Sequence, residues 1–299
     1  MAKREWPQHW PSFLGELQQL SGKGDAQAEL VMFVMLRLVE DVAVLQTLEQ
    51  NQRRKEIYQA LSAEMETIFQ FLLSLLERHY QAYTAALDPM IKEKHNKVCQ
   101  SVLATFTAFV EWAPMNHIMA NEHYLVRCLC HLLSDNALKL QAAECLLAMG
   151  KNVFSLHKET VIFRNPYLFR LVYINIFSVS WKGGKSSDRG QLLVLFREDL
   201  ISPLFASIET ANLKTMQGED DQHYLLLKRL VQILVELGGQ VCTVWSLKEP
   251  NCGKPENLHI YLNALLAFTN HNSLMVNYYA NELWAKFCRH PEIGTFYSR

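Results

Sequence analysis

The chain has 299 residues, of which 49% are apolar and 20% are charged, a composition that excludes an intrinsically disordered chain. Its formal net charge of −1 gives no global basic field, so nucleic-acid binding cannot be argued from net charge and would need a local patch. The chain has seven cysteines, an odd number, and most of them lie within apolar helical patterns. This indicates reduced thiols, as in proteins of the cytosol or nucleus.

The first distinctive segment is residues 3–11, KREWPQHWP, in which two Trp-Pro dipeptides lie four residues apart. A proline moves the residue before it out of helical geometry, and it fits the first turn of a helix that follows. Trp6-Pro7 and Trp10-Pro11 therefore predict a tight aromatic corner, with a new helix beginning near Pro11.

Beyond this corner the sequence predicts helix after helix, since apolar residues recur at helical spacing and the links between blocks are short. Within 26–48, the apolar stripe from Leu30 to Leu45 and the flanking Phe33 and Leu36 predict a helix buried on more than one side. The predicted helices span residues 11–20, 26–48, 51–86, 89–113, 115–134, 136–149, 190–212, 220–245, 256–270 and 272–290.

This pattern predicts an all-α protein, and two architectures compete for it. One is a single globular bundle, and the other is a HEAT/ARM-type α-solenoid of stacked antiparallel helix pairs. Helices that are apolar on two flanks favour the solenoid, because each one packs both on its pair-mate and on the next pair. The pairs are predicted to start near residues 26, 89, 136 and 220.

The sequence contains no recognisable phosphate-binding loop or membrane segment. Gly183-Gly184-Lys185 resembles the end of a phosphate loop, but Val179 stands where that motif needs a glycine. The most apolar stretch, 161–181, carries Arg164 and Arg170, and the first residues lack the apolar run of a signal peptide. We expect a flexible basic loop at 183–187 and no membrane association.

Two groups of cysteine and histidine residues also favour structural roles. Cys128 and Cys130 lie at i and i+2 of one predicted helix, so they point in different directions and are read as buried thiols near an exposed His131. His95 and Cys99 lie one helical turn apart, but the charged residues around His95 indicate a solvated surface. The sequence therefore predicts no enzyme, no catalytic residue, no cofactor and no metal ligand.

Five segments of the chain resemble the nuclear exportins of the importin-β (karyopherin) superfamily, in particular the branch that carries double-stranded hairpin RNA. They are residues 3–11 (KREWPQHWP), 29–41 (ELVMFVMLRLVED), 142–147 (AAECLL), 227–230 (LKRL) and 265–271 (LLAFTNH). The resemblance implies an N-terminal part of a longer receptor, folded as a HEAT-repeat superhelix.

The resemblance also implies a function. Receptors of this family bind Ran-GTP and cargo, including hairpin RNA such as microRNA precursors, on a concave surface, and they shuttle between nucleus and cytoplasm through contacts with nucleoporins. The helices predicted at 51–86, 115–134, 190–212 and 256–270 would be the inner ones, and those between them the outer ones. The alternative is a helical scaffold, or a truncated product, without transport activity.

Five charged residues lie at the end of the predicted helix 26–48 and at the start of the next, and we expect them to face a partner by charge complementarity. They are Glu40, Asp41, Arg53, Arg54 and Lys55. The alternative for all five is a solvated corner between two helices.

The block at residues 150–179 has no counterpart in the family pattern. It contains no alanine and is rich in Phe, Tyr, Ile and Asn, unlike the helices around it. Two interpretations remain open: a translated, unspliced intron or a genuine inserted helix pair. The predicted organisation is therefore N-terminal HEAT repeats at 1–149, an atypical insertion at 150–179 and further HEAT repeats at 180–299.

Overall fold

The computed structural model describes residues 5–44, 51–154, 190–216, 221–248 and 252–297. Across these ranges every regular element is helical and no strand occurs, which confirms the prediction of an all-α protein. None of the helices in these ranges combines the length and apolarity that a membrane crossing requires.

Thirteen helices are labelled here in chain order. The first eight are α1 Phe13–Ser21, α2 Asp25–Val39, α3 Asn51–Ala63, α4 Met65–Ala85, α5 Pro89–Val110, α6 Met115–Ile118, α7 Ala120–Leu132 and α8 Lys139–Phe154. The others are α9 Glu198–Met216, α10 Asp221–Val244, α11 Leu258–Thr269, α12 Leu274–Arg289 and α13 Pro291–Tyr297. A π-helical turn, Glu40–Val44, continues α2, and a 3₁₀ segment, Gln191–Phe196, precedes α9.

The helices form two rows. The first row contains α1, α4, α7, α9 and α11, and the second contains α2, α5, α8, α10 and α12. Each helix of the first row packs on the next member of the second row, and successive helices of the second row pack on one another from α2 to α12. This is the arrangement of a HEAT-type solenoid, so the stacked helix pairs predicted from the sequence are confirmed.

The phase of the pairing differs from the prediction. The sequence paired 26–48 with 51–86 and 89–113 with 115–134, whereas the structure pairs α1 with α2, α4 with α5, α7 with α8, α9 with α10 and α11 with α12. The reason is that second-row helices are apolar on two flanks, so periodicity alone does not indicate which sequence neighbour is the partner.

The two rows also differ in how closely their members approach. Second-row helices contact one another extensively, from α2 to α5, α8, α10 and α12, while contacts within the first row are sparser. If the stack curves, this closer spacing would place the second row on the inner side, whereas the resemblance places the first row there. Which row is the inner one stays a prediction.

Several predicted helices are interrupted in the structure. The predicted helix 51–86 is divided at Glu64 into α3 and α4. The predicted helix 115–134 is divided at Met119 into α6 and α7, and α7 is itself kinked near its start, where Asn121, Glu122 and His123 have left-handed backbone angles (φ of 52°, 54° and 64°). Three such residues in succession reverse the local winding, and no glycine or proline marks this interruption in the sequence. By contrast, α5 begins as predicted at Pro89, and the side chain of Asp88 caps it by accepting from the Met90 N–H at 2.8 Å.

The buried face of α2 also differs from the prediction. Leu30 and Phe33 are 56% and 69% exposed, although both were expected in the core. The core face instead carries Ala28, Val31, Met32, Met35, Leu38 and Val39. A helix apolar around most of its circumference does not reveal which stripe is buried.

The end of α8 reaches into the block at 150–179. Residues 150–154 continue the helix without a break, and Asn152 donates from Nδ2 to the carbonyls of Val110 and Ala113 at 2.7 and 2.8 Å. Residues 155–179 and the loop at 183–187 lie outside the described residues, so the insertion, its two interpretations and the predicted domain boundaries stay predictions.

Candidate partner-binding surface

The Trp-Pro segment forms the compact corner that the sequence predicted. Trp6, joined to Pro7 by a cis peptide bond, is 2% exposed, and its ring lies 6.0 Å from that of Phe13. Trp10 packs edge-on against Phe13 at 5.0 Å and donates from Nε1 to Glu16 at 3.0 Å. Because Trp6 and Phe13 are both buried, the corner fixes the direction in which α1 leaves Pro11.

Arg53 ties this corner to the start of α3. Its guanidinium donates to the Trp6 carbonyl and to the side-chain oxygen of Gln8, and it pairs with Glu56 at 3.0 Å. The Arg53 side chain is 16% exposed, so these bonds are partly shielded from water. The bond from Arg53, together with one from Gln52, lowers the pKa of the Glu56 carboxyl.

The two acidic residues predicted to face a partner lie in the π-helical turn after α2. Arg37 pairs with both of them, at 3.6 Å from Glu40 and 3.4 Å from Asp41. The Asp41 side chain is only 2% exposed, whereas 34% of the Glu40 side chain is exposed. Glu40 is therefore the one of this pair that offers charge to the surface.

All five predicted partner-facing residues lie at one place in the fold, because the π-helical turn packs against α3. Asp41 and Arg53 are used mainly in bonds within the chain. Glu40 and Arg54 are partly exposed and Lys55 is exposed. Whether any of the five contacts a partner stays a prediction.

An exposed apolar strip on α2 belongs to the same region and was missed by the sequence analysis. Leu30 and Phe33 lie one turn apart on the face of α2 that is turned away from the core. Along the second row, the start of α5 adds exposed lysines, Lys92, Lys94 and Lys97, of which Lys92 lies 4.9 Å from the ring centroid of Tyr83. Such a surface, apolar patches among charges of both signs, is suited to macromolecular recognition.

Four of the cysteines are largely buried. Burial raises the pKa of the Cys99 thiol to about 12, that of Cys128 to about 11, and those of Cys130 and Cys145 to about 12. Thiols with such pKa values stay protonated at neutral pH, so they are poor nucleophiles and poor metal ligands. This agrees with the interpretation of these residues as buried structural thiols.

The side chain of His95 lies elsewhere than the sequence predicted. It was expected on a solvated surface near Cys99, but it is only 17% exposed and its ring meets that of His79, with Nδ1 atoms 3.1 Å apart. Asp25 lies beside both rings. The three residues are distant in the chain, so only a knowledge of the helix pairing could have brought them together.

Comparison with known families gives two matches along the chain. The family described as exportin 1-like protein matches residues 1–146, and the exportin-5 family matches residues 221–296. The first match covers both the Trp-Pro corner and the charged junction of α2 with α3. The second covers α10, α11 and α12.

Individual relatives agree with these matches. Mouse exportin-5 is 36% identical over 298 residues, 98% of this chain, and human exportin-5 is 37% identical over 294 residues, 97% of it. Protein HASTY 1 of Arabidopsis thaliana is 30% identical over 147 residues, which are 48% of this chain and 12% of that protein.

The chain spans 22% of the length of the mouse and human relatives. Its similarity to them nevertheless runs through both family matches and through the two rows of stacked helices. The chain belongs to the exportin family.

Proposed function

We propose that this chain is part of a nuclear export receptor, which binds Ran-GTP and carries structured double-stranded RNA, such as microRNA precursors, and proteins from nucleus to cytoplasm. The observation that carries this proposal is the similarity to mouse exportin-5 along 98% of the chain, in a fold whose described residues form two rows of stacked helices. A receptor of this kind shuttles between the two compartments, passing nucleoporins, and performs no chemistry of its own.

The second row supplies the surface for this role. Its exposed side chains include Leu30 and Phe33 on α2 and the lysines at the start of α5, while Glu40, Arg54 and Lys55 are partly or fully exposed at the junction of α2 with α3. A protein partner such as Ran would use the apolar strip together with the charges around it. RNA would be held through its phosphates and its A-form shape by the lysines.

A retention experiment tests the proposal. The 299-residue chain is immobilised and exposed to Ran loaded with a non-hydrolysable GTP analogue or with GDP, with and without a hairpin RNA. We expect retention of Ran with the GTP analogue only, and RNA retention that is stronger for the hairpin than for a single strand of equal length. RNA retention should also weaken steeply with salt.

Matched variants locate the contact. Lys55→Glu and Phe33→Ala should weaken retention of Ran, whereas Lys248→Glu, a charge reversal at an exposed lysine of the C-terminal half, should not. If neither Ran nor RNA is retained by the chain, or if Ran is retained equally with GTP and GDP, the alternative of a helical scaffold without transport activity is the correct one.

A further inference from the structure

Three side chains from three helices bring one ligand atom each to a single point. Asp25 is the first residue of α2, His79 lies in the C-terminal part of α4, and His95 lies in the second turn of α5. The two Nδ1 atoms are 3.1 Å apart, and the Asp25 Oδ1 lies 3.8 Å from Nδ1 of His79 and 3.5 Å from Nδ1 of His95.

These distances are those of a metal site. A point equidistant from the three atoms in their plane lies about 2.0 Å from each, and Zn²⁺ binds histidine nitrogen and carboxylate oxygen at about 2.0–2.2 Å. Tetrahedral coordination at such bond lengths places ligand atoms about 3.3–3.4 Å apart, close to the three separations observed. The cluster therefore has about the size of a site for one such ion.

Burial gives the cluster fixed walls and one open side. The His79 side chain is 5% exposed and that of His95 17%, so packing holds both rings. The Asp25 carboxylate is 37% exposed and stands between the rings and solvent, so an ion can enter and keep a water molecule as a fourth ligand.

The three ligand atoms now hold a proton where an ion would lie. Two neutral imidazoles can place only one proton between Nδ1 atoms 3.1 Å apart, since two protons there would collide. A metal ion would replace this proton, because it binds the same nitrogen lone pairs.

We propose that Asp25, His79 and His95 bind one divalent transition-metal cation, Zn²⁺ by preference, which joins the start of α2 to α4 and α5. Two imidazoles and one carboxylate are a ligand set that suits Zn²⁺ better than the all-oxygen ions Mg²⁺ and Ca²⁺. The ion would connect the first helix pair to the second and so stabilise their packing. The proposal concerns these three residues only and is independent of the proposed transport function.

One neighbour opposes the ion and gives the proposal a second test. Arg78 lies 3.3 Å from Nε2 of His79 and donates to the Ser21 carbonyl at 3.3 Å. A metal-bound histidine usually donates its other ring N–H to an acceptor, and a guanidinium is a donor. Replacing Arg78 by glutamine removes the positive charge and supplies a carbonyl oxygen, so Arg78→Gln should bind the ion more tightly.

The experiment is a titration of the whole chain with the metal alone. The chain is stripped with a chelator, dialysed and titrated with Zn²⁺ by calorimetry, and with Co²⁺ by visible absorption as a spectroscopic substitute. We expect one ion per chain, a Co²⁺ spectrum of tetrahedral type without a thiolate charge-transfer band, and a rise in Tm with Zn²⁺. Asp25→Asn and His95→Asn should each lower the affinity at least tenfold, and Arg78→Gln should raise it.

Two controls and the helical circular dichroism of every variant complete the test. His259→Asn and Cys288→Ser, at an exposed histidine and an exposed cysteine, should leave the affinity unchanged. The proposal is overturned if the chain binds no stoichiometric ion, if folded Asp25→Asn binds as the parent does, or if a thiolate band appears. Because Asp25 is partly exposed, its variant tests the site even where His95→Asn fails to fold.

Discussion

The N-terminal and C-terminal parts of the stack are joined by different means. At the N-terminal end, Arg53 on α3 holds the Trp-Pro corner through hydrogen bonds to a carbonyl and a side-chain oxygen, near the surface. In the C-terminal part, Tyr261 on α11 is fully buried and donates to the Leu234 carbonyl of α10 at 2.8 Å, while Gly238 lets α10 approach it closely. The first joint uses a charged group and the second a neutral, close-packed one.

The difference matters because a solenoid is stabilised by contacts between neighbours only. Disruption of one joint is expected to open the adjacent helices and leave distant ones closed. Amide hydrogen exchange, measured for each helix, therefore reports the stability of each joint separately. A single melting temperature would report only their average. A change at one joint can therefore be measured with the other joint as the internal reference.

The largest effect is expected for Trp6→Ala. The Trp6 side chain is 2% exposed and packs on Phe13, so its removal leaves a cavity that costs about 3–5 kcal/mol. Amide exchange should accelerate in α1 and α3 and stay unchanged in α10, α11 and α12. His9→Ala, at an exposed residue of the same corner, should change neither region. Equal acceleration in both regions would show that the chain opens as one unit.

Gly238→Ala should have the next largest effect. A Cβ at this position would collide with the Tyr261 hydroxyl and would lie 2.6 Å from Leu283 Cδ1, so α10 would be forced away from α11 and α12. Overpacking of this kind costs about 1–3 kcal/mol, seen as faster exchange in α10 to α12.

The matched control for Gly238 lies in the other region. A Cβ at Gly15 in α1 meets nothing within 4 Å, so Gly15→Ala should stabilise α1 by about 0.5–1 kcal/mol through helix propensity alone. A loss of stability in Gly238→Ala with a gain in Gly15→Ala would establish that the C-terminal joint depends on the close approach of α10 to α11 and α12. A neutral or stabilising Gly238→Ala would contradict it.

A smaller, pH-dependent effect is expected at His271, in the C-terminal part. Its Nδ1 accepts from the Ser273 N–H at 2.9 Å, its Nε2 lies 3.0 Å from Thr215 Oγ1, and burial lowers its pKa. In the unfolded chain His271 takes up a proton near pH 6.5, and in the folded chain it does so only at lower pH. The stability that depends on neutral His271 is therefore fully present above about pH 6.5 and declines as the pH falls below that value.

Amide hydrogen exchange, measured at pH 7 and pH 5.5 and corrected for intrinsic rates, tests this pH dependence. Protection of α12 should fall at the lower pH in the parent chain and less so in His271→Gln. His259→Gln, at an exposed histidine of α11, should behave as the parent does. An unchanged pH dependence in His271→Gln would assign the effect to other groups.

The helices themselves could be predicted from the sequence, because apolar spacing and proline positions are local signals. Pro89 marked the start of α5, and the corner at Trp6 was predicted from two dipeptides. The pairing phase could not be predicted, since helices such as α2 are apolar almost all round. Leu30 and Phe33 were consequently assigned to the wrong side of that helix.

The site residues were harder still to predict, because their partners are distant in the chain. Arg53 was identified as a charged residue at a helix start, but its bond to the Trp6 carbonyl spans 47 positions. His79 carried no local signal at all, and its contacts with His95 and Asp25 depend on how α2, α4 and α5 pack. Such contacts follow from tertiary packing, which single-sequence patterns do not contain.

The smallest predicted effect belongs to Trp10, and it concerns a pKa rather than stability. The Glu16 carboxyl accepts from Ser12 Oγ at 2.5 Å and from Trp10 Nε1 at 3.0 Å, and these two bonds, Ser12 first, lower its pKa. Trp10→Phe keeps a ring against Phe13 but removes one donor. The pKa of Glu16, followed by NMR titration, should therefore rise towards its ordinary value without reaching it, because the Ser12 bond remains.

Amide exchange rates in α1 of Trp10→Phe should stay within about twofold of those in the parent chain. The bond from Trp10 to Glu16 is exposed, and such hydrogen bonds contribute little net stability. Ser12→Ala is the matched variant: it removes the stronger of the two donors, so it should raise the Glu16 pKa further than Trp10→Phe does. An unchanged Glu16 pKa in Trp10→Phe would mean that Trp10 contributes to the corner only through its ring. The N-terminal joint would then depend on Trp6 and Arg53, and the contrast with the buried hydroxyl of Tyr261 would be sharper.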